Sequence, residues 1–138
     1  MCMPKQPPLT NSRLQPKRSF AGIGLFTTYD IKKGERIIEY FGRELSEDEQ
    51  YTSKSKYLFG IGKKRMVDGN LKENLARYIN HSCIPNAEPE ERNGRVFIFA
   101  RRNIKTGEEI TYDYGKEYFD TYFKDGGCRC AKCIKKKK

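Results

Sequence analysis

Turn signals punctuate this chain about every 8–12 residues, a spacing that leaves little room for long helices and favours many short strands. Gly22-Ile23-Gly24, Lys32-Lys33-Gly34-Glu35, Gly62-Lys63-Lys64, Asn93-Gly94 and Lys105-Thr106-Gly107-Glu108 mark the turns. The pieces between them are strand-like. Leu25-Phe26-Thr27 follows the first turn and Arg36 to Phe41 the second. Tyr57-Leu58-Phe59-Gly60-Ile61 and Arg65-Met66-Val67-Asp68 read as a hairpin across the third. Arg95-Val96-Phe97-Ile98-Phe99-Ala100 is the strongest strand, with Asn93-Gly94 before it. Helix is confined to short stretches. Ser46 with Glu49 makes a capping-box pattern for a helix to about Lys54. Glu73 to Tyr78 holds a helical turn or two, and Lys116 to Phe123 a short helix. The expectation is a mostly-β fold whose topology periodicity alone does not select.

A length of 138 residues with 36% hydrophobic content suits one compact domain with a modest core. The sequence has no apolar run long enough to span a membrane. Met1-Cys2-Met3-Pro4-Lys5-Gln6-Pro7-Pro8 lacks the apolar stretch of a secretory signal. Residues 1–16 hold four of the six prolines and read as an extended, poorly ordered lead-in. The net charge of +10 is uneven: residues 129–138 carry six basic residues and no acid, leaving 22 basic against 18 acidic elsewhere. Such a tail suits nucleic acid, a nucleosome surface or an anionic membrane face, and is equally read as a solvated end. The five cysteines are an odd number without a secretory signal, which argues against a disulfide framework. Cys128, Cys130 and Cys133 fall within six residues and point to metal instead.

Two runs depart from ordinary strand composition by packing polar side chains among tyrosines. The first is Arg77-Tyr78-Ile79-Asn80-His81-Ser82-Cys83-Ile84-Pro85-Asn86; the second is Glu108-Glu109-Ile110-Thr111-Tyr112-Asp113-Tyr114-Gly115. Ala21-Gly22-Ile23-Gly24-Leu25-Phe26 and Ile38-Glu39-Tyr40-Phe41-Gly42 precede them. In this order, over nearly all of residues 17–133, the motifs resemble those of the SET-domain protein lysine methyltransferases. Taken singly, the glycine pair reads as a plain turn, Tyr40 as a strand aromatic, the lone His81 as a fold element and Tyr112-x-Tyr114 as a strand with alternating aromatics.

The resemblance implies a SET-domain fold: short curved sheets, few short helices and a C-terminal knot-like crossing of the two signature segments. It divides the chain into a lead-in (1–16), a catalytic domain (17–123) and a post-SET-like zinc segment with basic tail (124–138). It implies transfer of a methyl group from S-adenosylmethionine to a lysine, with a histone tail or another lysine-bearing peptide as substrate. Gly22, Ile23 and Gly24 would lie along the methyl donor, where a Cβ would clash. Asn80 can donate and accept, so it can grip the cofactor's amino-acid end. The His81 backbone would meet the adenine, and Arg77 would brace the loop. Tyr57 and Asp68 fall where the family has an aromatic near the donor and a buried aspartate. Tyr114 matches the tyrosine beside the transferring methyl, and Tyr40, Tyr57, Tyr112 and Tyr114 would line the lysine passage. Tyr112 sits at the family's Tyr/Phe switch, where a tyrosine leaves less room for a multiply methylated amine; this implies mono- to dimethylation. Asn86 would satisfy backbone groups at the crossing. Cys83 would complete a zinc site with Cys128, Cys130 and Cys133, although the family's last spacing is four residues and here it is two. The tail adds a possible contact with nucleosomal DNA. Location would be nuclear or chromatin-bound in a eukaryote, and otherwise intracellular or delivered to a host nucleus. No cysteine-rich segment precedes residue 17, as expected of a minimal enzyme or an excised catalytic domain. Two other classes fit parts of the sequence: a silent SET-fold module that binds peptide or nucleosome, and a small zinc protein for nucleic acid.

Overall fold

The computed structural model describes residues 8–19, 22–62 and 64–114. Its strands are β1 (Leu14–Ser19), β2 (Gly22–Thr27), β3 (Arg36–Tyr40), β4 (Arg43–Glu44), β5 (Leu58–Ile61), β6 (Arg65–Asp68), β7 (Asn80–His81), β8 (Ala87–Arg92), β9 (Arg95–Ala100) and β10 (Glu109–Tyr112). One α-helix, α1 (Glu47–Thr52), and one 3₁₀ turn (Leu75–Tyr78) complete the described elements. This is the mostly-β architecture of short sheets that the sequence implies.

The strands form three small sheets, ordered β1-β2-β10-β7, β3-β9-β8 and β4-β6-β5. Neighbours pair antiparallel except one: β10 runs parallel to β7, with Thr111 opposite Asn80 and Tyr112 opposite His81. A parallel pair needs a crossover connection, and here the crossover is β8 and β9. The crossing expected of the two signature segments is therefore a short parallel ladder. Asn86 pins it: its Nδ2 donates to the Glu109 carbonyl at 2.8 Å and its Oδ1 accepts from the Thr111 amide at 2.9 Å.

The core is aliphatic and shared by the sheets. Leu25, Ile31, Ile37, Ile38, Ile79, Ile98, Ile104 and Ile110 are fully buried and belong to one cluster. Burying each such side chain contributes roughly 1.5–3 kcal/mol before chain entropy is charged against it. Ser46 caps α1 as its pattern predicts. The hydroxyl accepts from the Glu49 amide at 3.2 Å, and the Glu49 carboxylate accepts from the Ser46 amide at 3.0 Å. The helix ends at Thr52 rather than Lys54, where Ser53 turns extended. Asn93 and Gly94 both have positive φ, the mirror-image turn that a two-residue hairpin between β8 and β9 requires.

Three expectations change. Gly22-Ile23-Gly24 is not a turn before a strand; it is the first half of β2, paired with Ser19, Arg18 and Lys17 of β1. The lead-in is built into the fold well before residue 16. The Leu9 carbonyl accepts from the Glu39 amide at 3.0 Å, the Asn11 side chain donates to the Ile37 carbonyl at 3.0 Å, and Leu14 is buried at the start of β1. Leu9 and Asn11 thereby cover the edge of β3 that β9 leaves open. Third, β8 has no counterpart in the sequence reading. The helix expected over Lys116–Phe123 lies outside the described residues.

Candidate active site

The parallel ladder decides where the signature residues meet. With Tyr112 opposite His81, Tyr114 lies beside His81: the ring centroids are 5.4 Å apart and the Tyr114 amide donates to His81 Nδ1 at 3.0 Å. The Tyr114 hydroxyl folds back and donates to the carbonyl of Ile79, a residue 1% exposed. Tyr112 packs edge-on against Tyr114 at 5.1 Å, Phe59 follows at 6.5 Å, and Tyr40 lies 5.0 Å beyond Phe59. An aromatic row thus runs from Tyr40 to His81 across all three sheets. Tyr40 and Tyr112 are buried, and Tyr114 is half-buried.

The row is not the set of residues the sequence selects. Tyr40 is in it, with its hydroxyl donating to the Tyr57 carbonyl at 2.7 Å. Tyr57 precedes β5, and its ring sits 5.8 Å from the Arg77 guanidinium and 5.5 Å from Lys56 Nζ. Phe59, absent from the expected site, holds the central place in the row. Its only sequence signal is the position two residues after Tyr57 in a strand-like run.

Asn80 is held by a carboxylate that the sequence reading leaves unassigned. Its Nδ2 donates to Glu109 Oε2 at 2.7 Å and to the Ile23 carbonyl at 3.1 Å. Glu109 also accepts from the Ser19 hydroxyl at 2.7 Å. A Cβ on Gly24 would overlap Glu109 Oε2. A side chain at 24 would push the Glu109 carboxylate off its bond to Asn80, whereas a Cβ on Gly22 would meet nothing within 4 Å and the residue is favoured by its φ of +105°. Ile23 between them is exposed. Arg77 ties residues 70–78 together rather than reaching the Asn80–His81 segment, donating to Asn70 Oδ1 at 2.9 Å and the Tyr78 hydroxyl at 2.7 Å. Asp68 accepts from the Ser55 hydroxyl at 2.7 Å and the Asn70 amide at 3.0 Å, closing the same loop.

His81 feels two opposing effects. Burial pushes its pKa below the usual histidine value, and the exposed Asp113 carboxylate, 3.6 Å from Nδ1, pulls weakly the other way. Because Nδ1 accepts from the Tyr114 amide, the ring is neutral and its proton is assigned to Nε2 by these partners. Nε2 lies 3.3 Å from the Cys83 sulfur. His81 is thus a brace joining both segments. Cys83 is exposed. Among the described residues no three His, Cys, Asp or Glu side chains gather as a metal site; Cys128, Cys130 and Cys133 lie outside them.

The SET domain family model matches residues 22–115, and this chain belongs to the SET-domain family. It is 47% identical over 105 residues to Histone-lysine N-methyltransferase trr of Drosophila melanogaster, covering 67% of this chain and 4% of that protein. It is 35% identical over 137 residues to Histone-lysine N-methyltransferase 2D of Homo sapiens, covering 89% of this chain and 2% of that protein. It is 38% identical over 130 residues to Putative histone-lysine N-methyltransferase ASHH4 of Arabidopsis thaliana, covering 84% of this chain and 36% of that protein. The chain spans a small part of each of these relatives.

Proposed function

We propose that this chain is an S-adenosylmethionine-dependent protein-lysine N-methyltransferase acting on a histone tail, with residues 17–123 as its catalytic domain. The observation that carries this reading is Tyr114, fixed at the crossing between the Ile79 carbonyl, the His81 ring and Tyr112. The names of the relatives support the histone as substrate class.

The residues present fit the cofactor. Exposed apolar Ile23 stands beside the Asn80 amide for its adenosyl and amino-acid parts, and tyrosine faces with a backbone carbonyl suit a sulfonium. When bound, the cofactor supplies an electrophilic methyl. The chain's task is to align a neutral amine and exclude water. A lysine amine has a pKa near 10.4 in water, and an aromatic passage built on Tyr40, Phe59, Tyr112 and Tyr114 lowers it by desolvation. The Tyr114 hydroxyl donates its hydrogen bond to the Ile79 carbonyl. Its oxygen lone pairs remain for weak contacts with polarised C–H groups, so Tyr114 positions and stabilises rather than abstracting a proton. Gly22, Ile23, Gly24, Arg77, Asn80 and His81 shape the cofactor side.

Transfer of tritium from labelled S-adenosylmethionine to core histones tests the activity. Label in lysine supports it; background counts with intact peptide binding would indicate a silent module. Tyr112 sets the product in this reading. Tyr112→Phe removes the hydroxyl that restricts the methylated amine, an effect worth about 1 kcal/mol or roughly fivefold in the ratio of higher to monomethylated product. Mass spectrometry of early turnover checks this; mainly trimethyl-lysine from the unaltered enzyme would contradict it.

Cys83, exposed and one residue beyond Ser82, can join Cys128, Cys130 and Cys133 in a tetrahedral zinc site that pins residues 124–138 to the crossing. Atomic absorption should find one zinc per chain and a loss of it in Cys83→Ser. A metal-free protein, or full zinc in the variant, would refute the site. A nuclear, chromatin-bound location follows from the substrate, and the basic tail would approach nucleosomal DNA. Among the described residues no helix is long and apolar enough to cross a membrane.

A further inference from the structure

A second charged feature lies among the described residues, in turns that contain none of the aromatic row. Two turns, residues 30–36 and 101–108, are joined by backbone bonds. Ile31 and Ile104 exchange amide-to-carbonyl bonds at 2.7 and 2.8 Å, and the Lys33 amide donates to Asn103 Oδ1 at 2.8 Å. The Gly34 amide donates to the Ala100 carbonyl at 2.8 Å. The joined turns present Lys32, Lys33, Arg36, Arg101 and Lys105, all exposed.

Their acidic residues are spent on the fold. Asp30 accepts from the Thr106 amide and hydroxyl, both at 2.9 Å, and these bonds hold its carboxyl below the usual range. Glu108 accepts from Arg102 at 3.1 Å and from the Lys105 amide at 3.2 Å. Glu35 faces the Tyr29 hydroxyl and the Lys32 amide, both at 3.4 Å. Among the described residues, Lys32, Lys33, Arg36 and Lys105 form no direct ion pair, although the Lys105 charge acts on the Asp30 carboxylate, and Arg101 reaches only a loose pair with Glu88 at 3.8 Å. Arg36 is positioned by the rings beneath it, its guanidinium 4.5 Å from the Phe97 centroid and 5.7 Å from Phe99. The turns present no apolar anchor, since Ile31 and Ile104 are 1% and 0% exposed.

We propose that these joined turns are a docking face for the phosphate backbone of duplex DNA, with Lys32, Lys33, Arg36 and Lys105 making the phosphate contacts. A protein partner would need apolar anchors to supply its affinity, and none is offered. A phosphate backbone needs only exposed cations in excess on a rigid support, and these turns carry six basic residues against three acidic ones (Asp30, Glu35 and Glu108). The inference does not depend on the methyltransferase reading.

The test is fluorescence anisotropy of the full chain with a labelled duplex of about 20 base pairs over a salt series. Each phosphate contact contributes about −0.9 to the slope of log affinity against log salt. Lys32→Gln, Lys33→Gln and Lys105→Gln together should flatten that slope by about 3 units. The same three positions changed to arginine should keep the slope. The three side chains form no hydrogen bond among the described residues, so the fold should hold, and circular dichroism checks it. Neutralising Lys135 to Lys138 in parallel separates the tail, and its share should add to that of the turns. An unchanged slope in the triple variant, with binding lost only on neutralising the tail, would overturn the proposal. So would loss of binding to polyglutamate with duplex affinity intact, which would indicate an acidic protein partner.

Discussion

Replacing Tyr114 by phenylalanine is expected to lower the methyl-transfer rate by roughly 10²–10³-fold, the range seen when one preorganised polar group is removed from a reaction centre. The ring stays in place, because its contacts with Tyr112 at 5.1 Å and His81 at 5.4 Å do not involve the hydroxyl. The Ile79 carbonyl loses its donor, which costs about 1 kcal/mol of stability, too little to unfold a domain. The loss should therefore appear in kcat, with peptide KM within a few-fold. A rate within threefold of the unaltered enzyme would remove Tyr114 from the reaction centre; roughly this factor is under 1 kcal/mol.

Asn86→Ala should have the largest effect on stability, and through it on the site. Asn86 is 3% exposed. Its amide satisfies the Glu109 carbonyl and the Thr111 amide, one at each side of Ile110 in β10. Truncation removes the partner of two part-buried backbone groups, each costing about 1–3 kcal/mol where water does not replace it. The expected loss is about 2–5 kcal/mol, read as a lower urea midpoint at unchanged m-value. The parallel ladder beneath Tyr112 and His81 depends on the same bonds, so activity should fall even where the variant remains folded. A loss below about 1 kcal/mol would mean that the crossing is held by something other than this side chain.

How legible the fold was depended on where each strand sits. β9 lies in the middle of its sheet, and its run Val96-Phe97-Ile98 announced it. The β5–β6 hairpin and the Ser46 cap were equally plain because their signals are local. β1 and β8 are edge strands. Pro16 and charged residues disguise the first, and Pro89 with Glu88, Glu90 and Glu91 the second. Edges tolerate proline and charge, and protect themselves with them, so composition points away from strand where strand exists. The glycines of β2 misled in the same way: Gly24 reads as a turn residue, but it is small because Glu109 occupies the space.

At the site, residue composition alone gave Asn80, His81, Tyr112 and Tyr114 ordinary readings as fold elements and strand aromatics; it was the order of the motifs, through the family resemblance, that set them together. The resemblance implied the bracing role of Asn86, and its two bonds to β10 are where that role puts them. Glu109 and Phe59 were not legible. A glutamate in a turn-rich acidic stretch and a phenylalanine in an apolar strand both have ordinary explanations, and only the three-dimensional register sets one against Asn80 and the other between Tyr40 and Tyr112. Tyr57 was assigned to the site by the resemblance; the structure puts its ring beside Arg77.

The central claim is that the parallel pairing of β7 with β10 builds one cleft that holds the methyl donor. Nuclear magnetic resonance on the full chain tests it directly, following the backbone amides of Asn80, His81 and Tyr114 during titration with S-adenosylmethionine. The account predicts that all three shift together along one saturable curve. Saturable binding that moves only one of the two segments, or no binding at all, would contradict it.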